Sequence, residues 1–161
     1  MVQNSEWGPY LWEILHICAE NSGKQSTHIL HMDEVRLWIS FLKLTEAILP
    51  CPLCQKHYRK WLEQHSVTRF LDTSNPETFS NLIRKWLWSL HNAVNEQRQL
   101  ATLSFDEAMS LYKTKGAKDI QQALEKLLTV LEEAKLQRLI DGAFLREWKQ
   151  ILSRLRRFIR V

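Results

Sequence analysis

The chain has 161 residues, 45% of them hydrophobic, with four Gly, four Pro, three Cys and a formal net charge of +4. That length suits one domain with a sizeable core, and so few glycines and prolines argue for long helices over a turn-rich β fold. Three cysteines cannot staple a disulfide scaffold, and no apolar run approaches the roughly 20 residues that span a bilayer. The N-terminal segment shows no basic leader ahead of an apolar run, so no signal peptide is expected and a cytosolic site of synthesis is the reading. The charge is uneven. Residues 142–161 carry Arg146, Lys149, Arg154, Arg156, Arg157 and Arg160 against Glu147, a balance of +5, which leaves −1 for the remainder.

In chain order, apolar residues at helical spacing predict a first helix over about 7–20, through Trp12, Leu15, His16 and Ala19. Gly8, Trp12 and His16 recur at i, i+4 and i+8 and so share one side of it. Glycine there lets a ligand or another backbone approach closely, and tryptophan offers a flat stacking surface. After Asn21-Ser22-Gly23, a second helix is predicted over about 33–48, with Asp33 as its cap and Pro50 ending it.

A third helix is predicted from Pro52 to about residue 65. Cys51-Pro52-Leu53-Cys54 lies at its start: proline suits the first helical position, making Cys51 the N-cap and placing Cys54 in the first turn. A helix N-terminus favours thiolate, the reactive form of cysteine, so the pair reads as a redox dithiol. Zinc is the rival reading, but the separations of His57 and His65 do not suit it.

Asn75-Pro76-Glu77 opens a fourth helix, which carries His91, Asn92, Val94 and Asn95 as HNAVN. His91 and Asn95 stand one turn apart on a stripe otherwise used for burial, where polar side chains need partners. Ser104 and Glu107 form a capping box for a short fifth helix ending near Tyr112.

Thr114-Lys115-Gly116 is the clearest boundary, dividing a 1–115 domain from a 116–161 extension. Two amphipathic helices follow it, separated by Asp141-Gly142 and read as a helical hairpin packed on the core or on a partner chain. Cys18 is expected to be a buried small hydrophobe, and His28, His31 and His65 to be solvated. Trp38, Trp61, Trp88 and Trp148 are assigned to core or interface. The basic face of the last helix is expected to be solvated; contact with nucleic acid or an anionic membrane surface is the lesser reading. The whole is all-α: a four-helix bundle, a short fifth helix and the C-terminal hairpin.

Three signatures, WGPYLWEILH, CPLCQKHY and LWSLHNAVN, resemble in order those of the Erv/ALR FAD-linked sulfhydryl oxidases. The resemblance covers residues 7 to about 112 and is nearest to the compact members of large nucleocytoplasmic DNA viruses. It implies a helical bundle holding FAD in its mouth, usually as a homodimer, and a thiol oxidase that forms disulfides in protein substrates and delivers electrons to molecular oxygen. Carried over, Cys51 is the outer, catalytic sulfur and Cys54 the sulfur facing the flavin. Gly8, Trp12 and His16 flank the cofactor, and His91, Asn92, Val94 and Asn95 hold its adenine and ribose side. His57 is a second contributor to activating Cys54, after the helix N-terminus. The family's lysine at the FAD phosphates is missing; Arg98 is its proposed substitute.

Pro9 replaces a basic residue of many cellular members, and no second C-x-x-C is present, so any dithiol shuttle is a separate protein. The viral likeness implies host cytoplasm, at virus assembly sites, or the virion. A non-catalytic scaffold that kept the fold stays open as the alternative. A chain ended after Gly116 is expected to keep FAD and activity.

Overall fold

The computed structural model describes residues 2–161 and contains no strand among them. Seven α-helices run in order: α1 (Asn4–Glu20), α2 (His28–Ile48), α3 (Pro52–Gln64), α4 (Pro76–Gln97), α5 (Phe105–Tyr112), α6 (Ala117–Leu136) and α7 (Gly142–Ile159), with a 3-10 segment at Val67–Asp72 between α3 and α4.

Local chemistry sets most boundaries. At the start of α1, the Gln3 backbone N–H donates to Glu6 Oε2, 2.6 Å, so the helix begins three residues before the apolar pattern does. Asn75 Oδ1 accepts from the N–H groups of Glu77 and Thr78, and Ser104 Oγ accepts from Glu107 N–H, as their sequence positions predict. α2 differs. Its cap is Thr27, whose Oγ1 accepts from Leu30 N–H at 3.2 Å, and the helix opens at His28 rather than at Asp33. Asp33 lies inside the helix and pairs with Arg36. In the first turn, His28 to His31, the apolar residues Ile29 and Leu30 are exposed and a histidine is the buried one, so the turn does not continue the helix's apolar stripe.

The core is one continuous cluster. α6 packs along α1 and α7 along α2; α1 also meets α4 and α5, and α2 meets α3 and the 3-10 segment. Ile120, Leu127 and Leu131 of α6 and Trp148 and Leu155 of α7 are fully buried beside Ile14, Ile17, Trp38, Phe41 and Leu87. Two of the buried indoles are tied off through hydroxyls. Trp148 Nε1 donates to Thr45 Oγ1, which donates to Phe41 O, and Trp38 Nε1 donates to Ser22 Oγ, which donates to Cys18 O.

The α1–α2 turn depends on Gly23, at φ +76°, where a Cβ would collide with Pro76 O and Ser80. Beside it the buried Glu34 accepts from Gly23 N–H and Gln25 Nε2. His31, expected in solvent, is fully buried, its Nε2 2.8 Å from Thr73 O. The early start of α2 turns it inward onto the 3-10 segment, which sequence periodicity did not show. His28 and His65 are exposed.

Candidate active site

The dithiol sits where α2 hands over to α3. Leu49 leaves α2 in extended conformation, Pro50 is buried, and the Gln55 side-chain amide donates back to Leu49 O at 2.7 Å. Tyr58 O–H donates to Leu42 O, and its burial within the α2–α3 contact pushes its phenol well above the usual range. These contacts fix the first turn of α3 against α2.

Cys51 is the N-cap and Pro52 the first helical residue, as the sequence predicts. Cys51 and Cys54 are joined as a disulfide with Cα atoms 5.1 Å apart. The backbone N–H of Cys54 donates to Cys51 Sγ at 3.2 Å. The helix N-terminus therefore serves the sulfur of Cys51, not that of Cys54 as the sequence led us to expect. The reason is capping geometry: the side chain at the cap position receives the N–H three residues on, here that of Cys54. Cys54 Sγ turns toward α1 instead, 3.6 Å from Asn4 Oδ1. Between the cysteines, Leu53 is 60% exposed and forms an apolar lip beside the disulfide.

A second cluster joins α1, α4 and α5. The rings of Trp12 and His91 stack with centroids 4.0 Å apart and planes within 8°. His16 and Tyr112 stack at 4.6 Å. The two imidazoles meet edge on, His16 Nε2 lying 3.0 Å from His91 Nδ1. Burial pushes His16 down to about 3, helped by the neighbouring His91, and burial pushes His91 down to about 4. Both rings are therefore neutral near pH 7, so one nitrogen of the contact carries a proton and the other a lone pair. The outer nitrogen of the buried ring, His16 Nδ1, has no partner among the described residues.

Asn4, Gly8, Trp12 and His16 follow one another every fourth residue along α1, and so connect the two clusters along one side of the helix. Gly8 is buried, yet a Cβ added there would meet nothing within 4 Å.

The asparagines of HNAVN have other employment. Asn92 Nδ2 donates to Leu103 O at 2.8 Å and Leu103 N–H donates to Asn92 Oδ1 at 3.2 Å, with Trp88 Nε1 donating to the same carbonyl. Asn95 Nδ2 donates to Ala101 O. They shape the 98–104 connection, which leaves α4 through Gln99 at φ 57°. Val94 is half-buried against the core. The His57 imidazole meets the Gln97 side-chain amide at 3.2 Å, tying α3 to the end of α4. Arg98 is exposed at the α4 C-cap.

Sequence reasoning passed over Asn4, Gln97 and Tyr112 as site residues. Asn4 could have been found by extending the α1 stripe one turn backward; Tyr112 and Gln97 carry no local signal. Cys18 is fully buried, its thiol pushed up to about 12 by burial, and takes no part. Among the described residues, no three His, Cys, Asp or Glu side chains gather as a metal site, and no helix is long and apolar enough to cross a membrane.

No curated protein and no solved structure matches the chain significantly. The model of the Erv1 / Alr family matches residues 9–127, from the second turn of α1 into the middle of α6. That span holds the aromatic–histidine cluster, the disulfide and HNAVN, and covers well over half of the sequence. The chain belongs to the Erv1 / Alr family, a family of FAD-linked sulfhydryl oxidases.

Proposed function

We propose that this chain is an FAD-dependent thiol oxidase that makes disulfides in partner proteins through Cys51 and Cys54, with FAD as its resident cofactor and oxygen as final acceptor. The observation that carries this is the two-ended α1 stripe. A disulfide stands at one end and a flat aromatic–imidazole bed at the other, with unfilled space beside Gly8 between them.

The residues present fit a heteroaromatic dinucleotide. Trp12 and His91 offer flat faces, the unpartnered His16 Nδ1 offers a hydrogen-bonding position, and neutral imidazoles bring no buried charge against a flavin. Gly8, Trp12 and His16 would line the cofactor from α1 and His91 from α4. Asn92, Asn95 and Val94 would support it by shaping the adjoining loop and helix, with Arg98 the nearest candidate for its phosphates. When bound, FAD accepts two electrons from the dithiol and passes them to oxygen, giving hydrogen peroxide.

The thiol chemistry belongs to the chain itself. A substrate thiolate attacks Cys51 Sγ, the S–S bond breaks, and Cys54 leaves as thiolate; a second substrate thiol, losing its proton, then displaces Cys51 and closes the substrate disulfide. The Cys54 N–H that donates to Cys51 Sγ stabilises charge on that sulfur as it departs. Exposed Leu53 and Pro52 beside the disulfide support access for a protein substrate or a separate dithiol shuttle. The likeness to compact viral members supports a homodimer working at virus assembly sites in host cytoplasm, or in the virion.

The purified protein should be yellow and consume oxygen with dithiothreitol. Cys54→Ser should keep the yellow colour and lose oxygen uptake by more than about a thousandfold. A colourless folded protein, or normal turnover in Cys54→Ser, overturns the reading; the first outcome favours a non-catalytic scaffold.

A further inference from the structure

We propose that Asn4 is a positioning residue for Cys54, its carboxamide serving as partner to that sulfur in both protonation states; this rests on reading Cys54 as the sulfur that meets the cofactor. In the disulfide, Sγ carries no proton, and the carboxamide lies against it at 3.6 Å. Opening the disulfide changes what the sulfur needs. A Cys54 thiol donates to Oδ1. A Cys54 thiolate accepts from Nδ2–H, which a half-turn of the amide brings to the same place.

The assignment matters because the backbone does not supply the second sulfur. The N–H at the head of α3 goes to Cys51, so Cys54, the leaving group of the first exchange step, has to be stabilised from elsewhere. Asn4 comes from another helix. It also heads the stripe that continues through Gly8 and Trp12, so it holds the sulfur at the end of the unfilled space.

Of the ionisable side chains on the helices beside Cys54, Lys56 and Lys60 are exposed on α3 and Tyr58 is buried with its O–H donated to Leu42 O. On α3, Cys51 is its partner, His57 is bonded to Gln97 of α4, and Arg59 is bonded to Glu46 of α2. On α1, Glu6 is bonded to the Gln3 backbone. Cys18 is fully buried in the core.

The test is made on full-length protein carrying Cys51→Ser, which leaves Cys54 free. The rate of Cys54 alkylation by iodoacetamide, followed by mass spectrometry across pH, reports its thiolate. Asn4→Asp keeps the shape and places a carboxylate against the sulfur, so the midpoint should rise by about one pH unit, a tenfold loss of thiolate at fixed pH below it. Asn4→Leu removes the donor without adding charge and should raise the midpoint by less, while Asn4→Gln should restore part of the shift. Aspartate suits the first helical position, so α1 should form; Asn4→Leu gives the same direction of answer without a new charge.

A midpoint unchanged in both Asp and Leu variants, in protein melting as the parent does, overturns the proposal, as does an equal shift in all three. The alkylation profile needs no flavin. If the protein binds no FAD, the oxidase reading fails while the Asn4 effect is still read.

Discussion

Gly8 is the residue whose replacement separates folding from cofactor binding. It occupies a helical position where glycine costs roughly 0.5–1 kcal/mol relative to alanine, and the space beside it is unfilled. Gly8→Leu should therefore fold with unchanged or higher melting temperature and yet bind no FAD. A Gly8→Leu protein that purifies with a full flavin complement would show that the space serves something else.

The histidine pair makes a second residue-scale prediction. In the folded chain His16 and His91 are held to about 3 and about 4, against about 6.5 when unfolded. Below pH 6.5 the unfolded chain takes up protons that the folded chain refuses, so this pair's contribution to stability falls as pH drops from about 6.5 to about 3. Glu34 works the other way, because burial pushes its carboxyl up. The measurement is thus a difference: the fall in melting temperature between pH 7 and pH 4.5 should be smaller in His16→Phe/His91→Phe than in the parent.

Among the elements, α3, α4 and α5 were legible from sequence because each announces itself twice, by a cap and by a proline or capping box at fixed offset. α2 announced itself only by its apolar stripe, which starts a turn late. Thr27 and Asp33 are both plausible cap residues, and only tertiary burial of His31 decides between them. Thr27→Ala should destabilise the protein by about 1 kcal/mol, whereas Asp33→Ala, at an exposed pair with Arg36, should stay within about 0.5 kcal/mol. Equal effects in urea melts would mean that α2 frays to Asp33 in solution. The candidate site was legible to the same degree. Cysteines, histidines and tryptophan stood out by type and spacing, but the allocation of N–H groups did not. The sequence places Cys51 at the cap and Cys54 in the first turn but does not show which sulfur takes the N–H, nor that Asn92 and Asn95 donate to Leu103 O and Ala101 O.

At the scale of the whole molecule, residues 116–161 change their meaning. Their amphipathic pattern shows that one face is buried but not against what. In the fold, α6 lies on α1, the helix that carries Asn4, Gly8, Trp12 and His16, and α7 lies on α2. Lys115 pairs with Glu13 at 2.5 Å and Lys126 lies over the Tyr10 ring, adding polar ties across the same seam. Removing the segment would expose Ile14, Ile17, Trp38 and Phe41 to water, so the expectation that truncation after Gly116 spares cofactor and activity is reversed. A chain ending there should be insoluble or should lose its cooperative melting transition. Trp148→Ala, which leaves a void and removes the indole donor to Thr45 Oγ1, should cost about 3–5 kcal/mol. A soluble, yellow, active truncation would mean that α1 and α2 can close on each other unaided.

The sulfur cap on α3 has one more consequence. A thiolate at position 51 is a stronger acceptor for the Cys54 amide than the disulfide sulfur it replaces, so the first turn is tethered whichever way the electrons last moved. Under the proposed thiol exchange, each round would begin and end on the same backbone, with only sulfur atoms changing places. In the proposed oxidase such a framework needs no hinge at the dithiol.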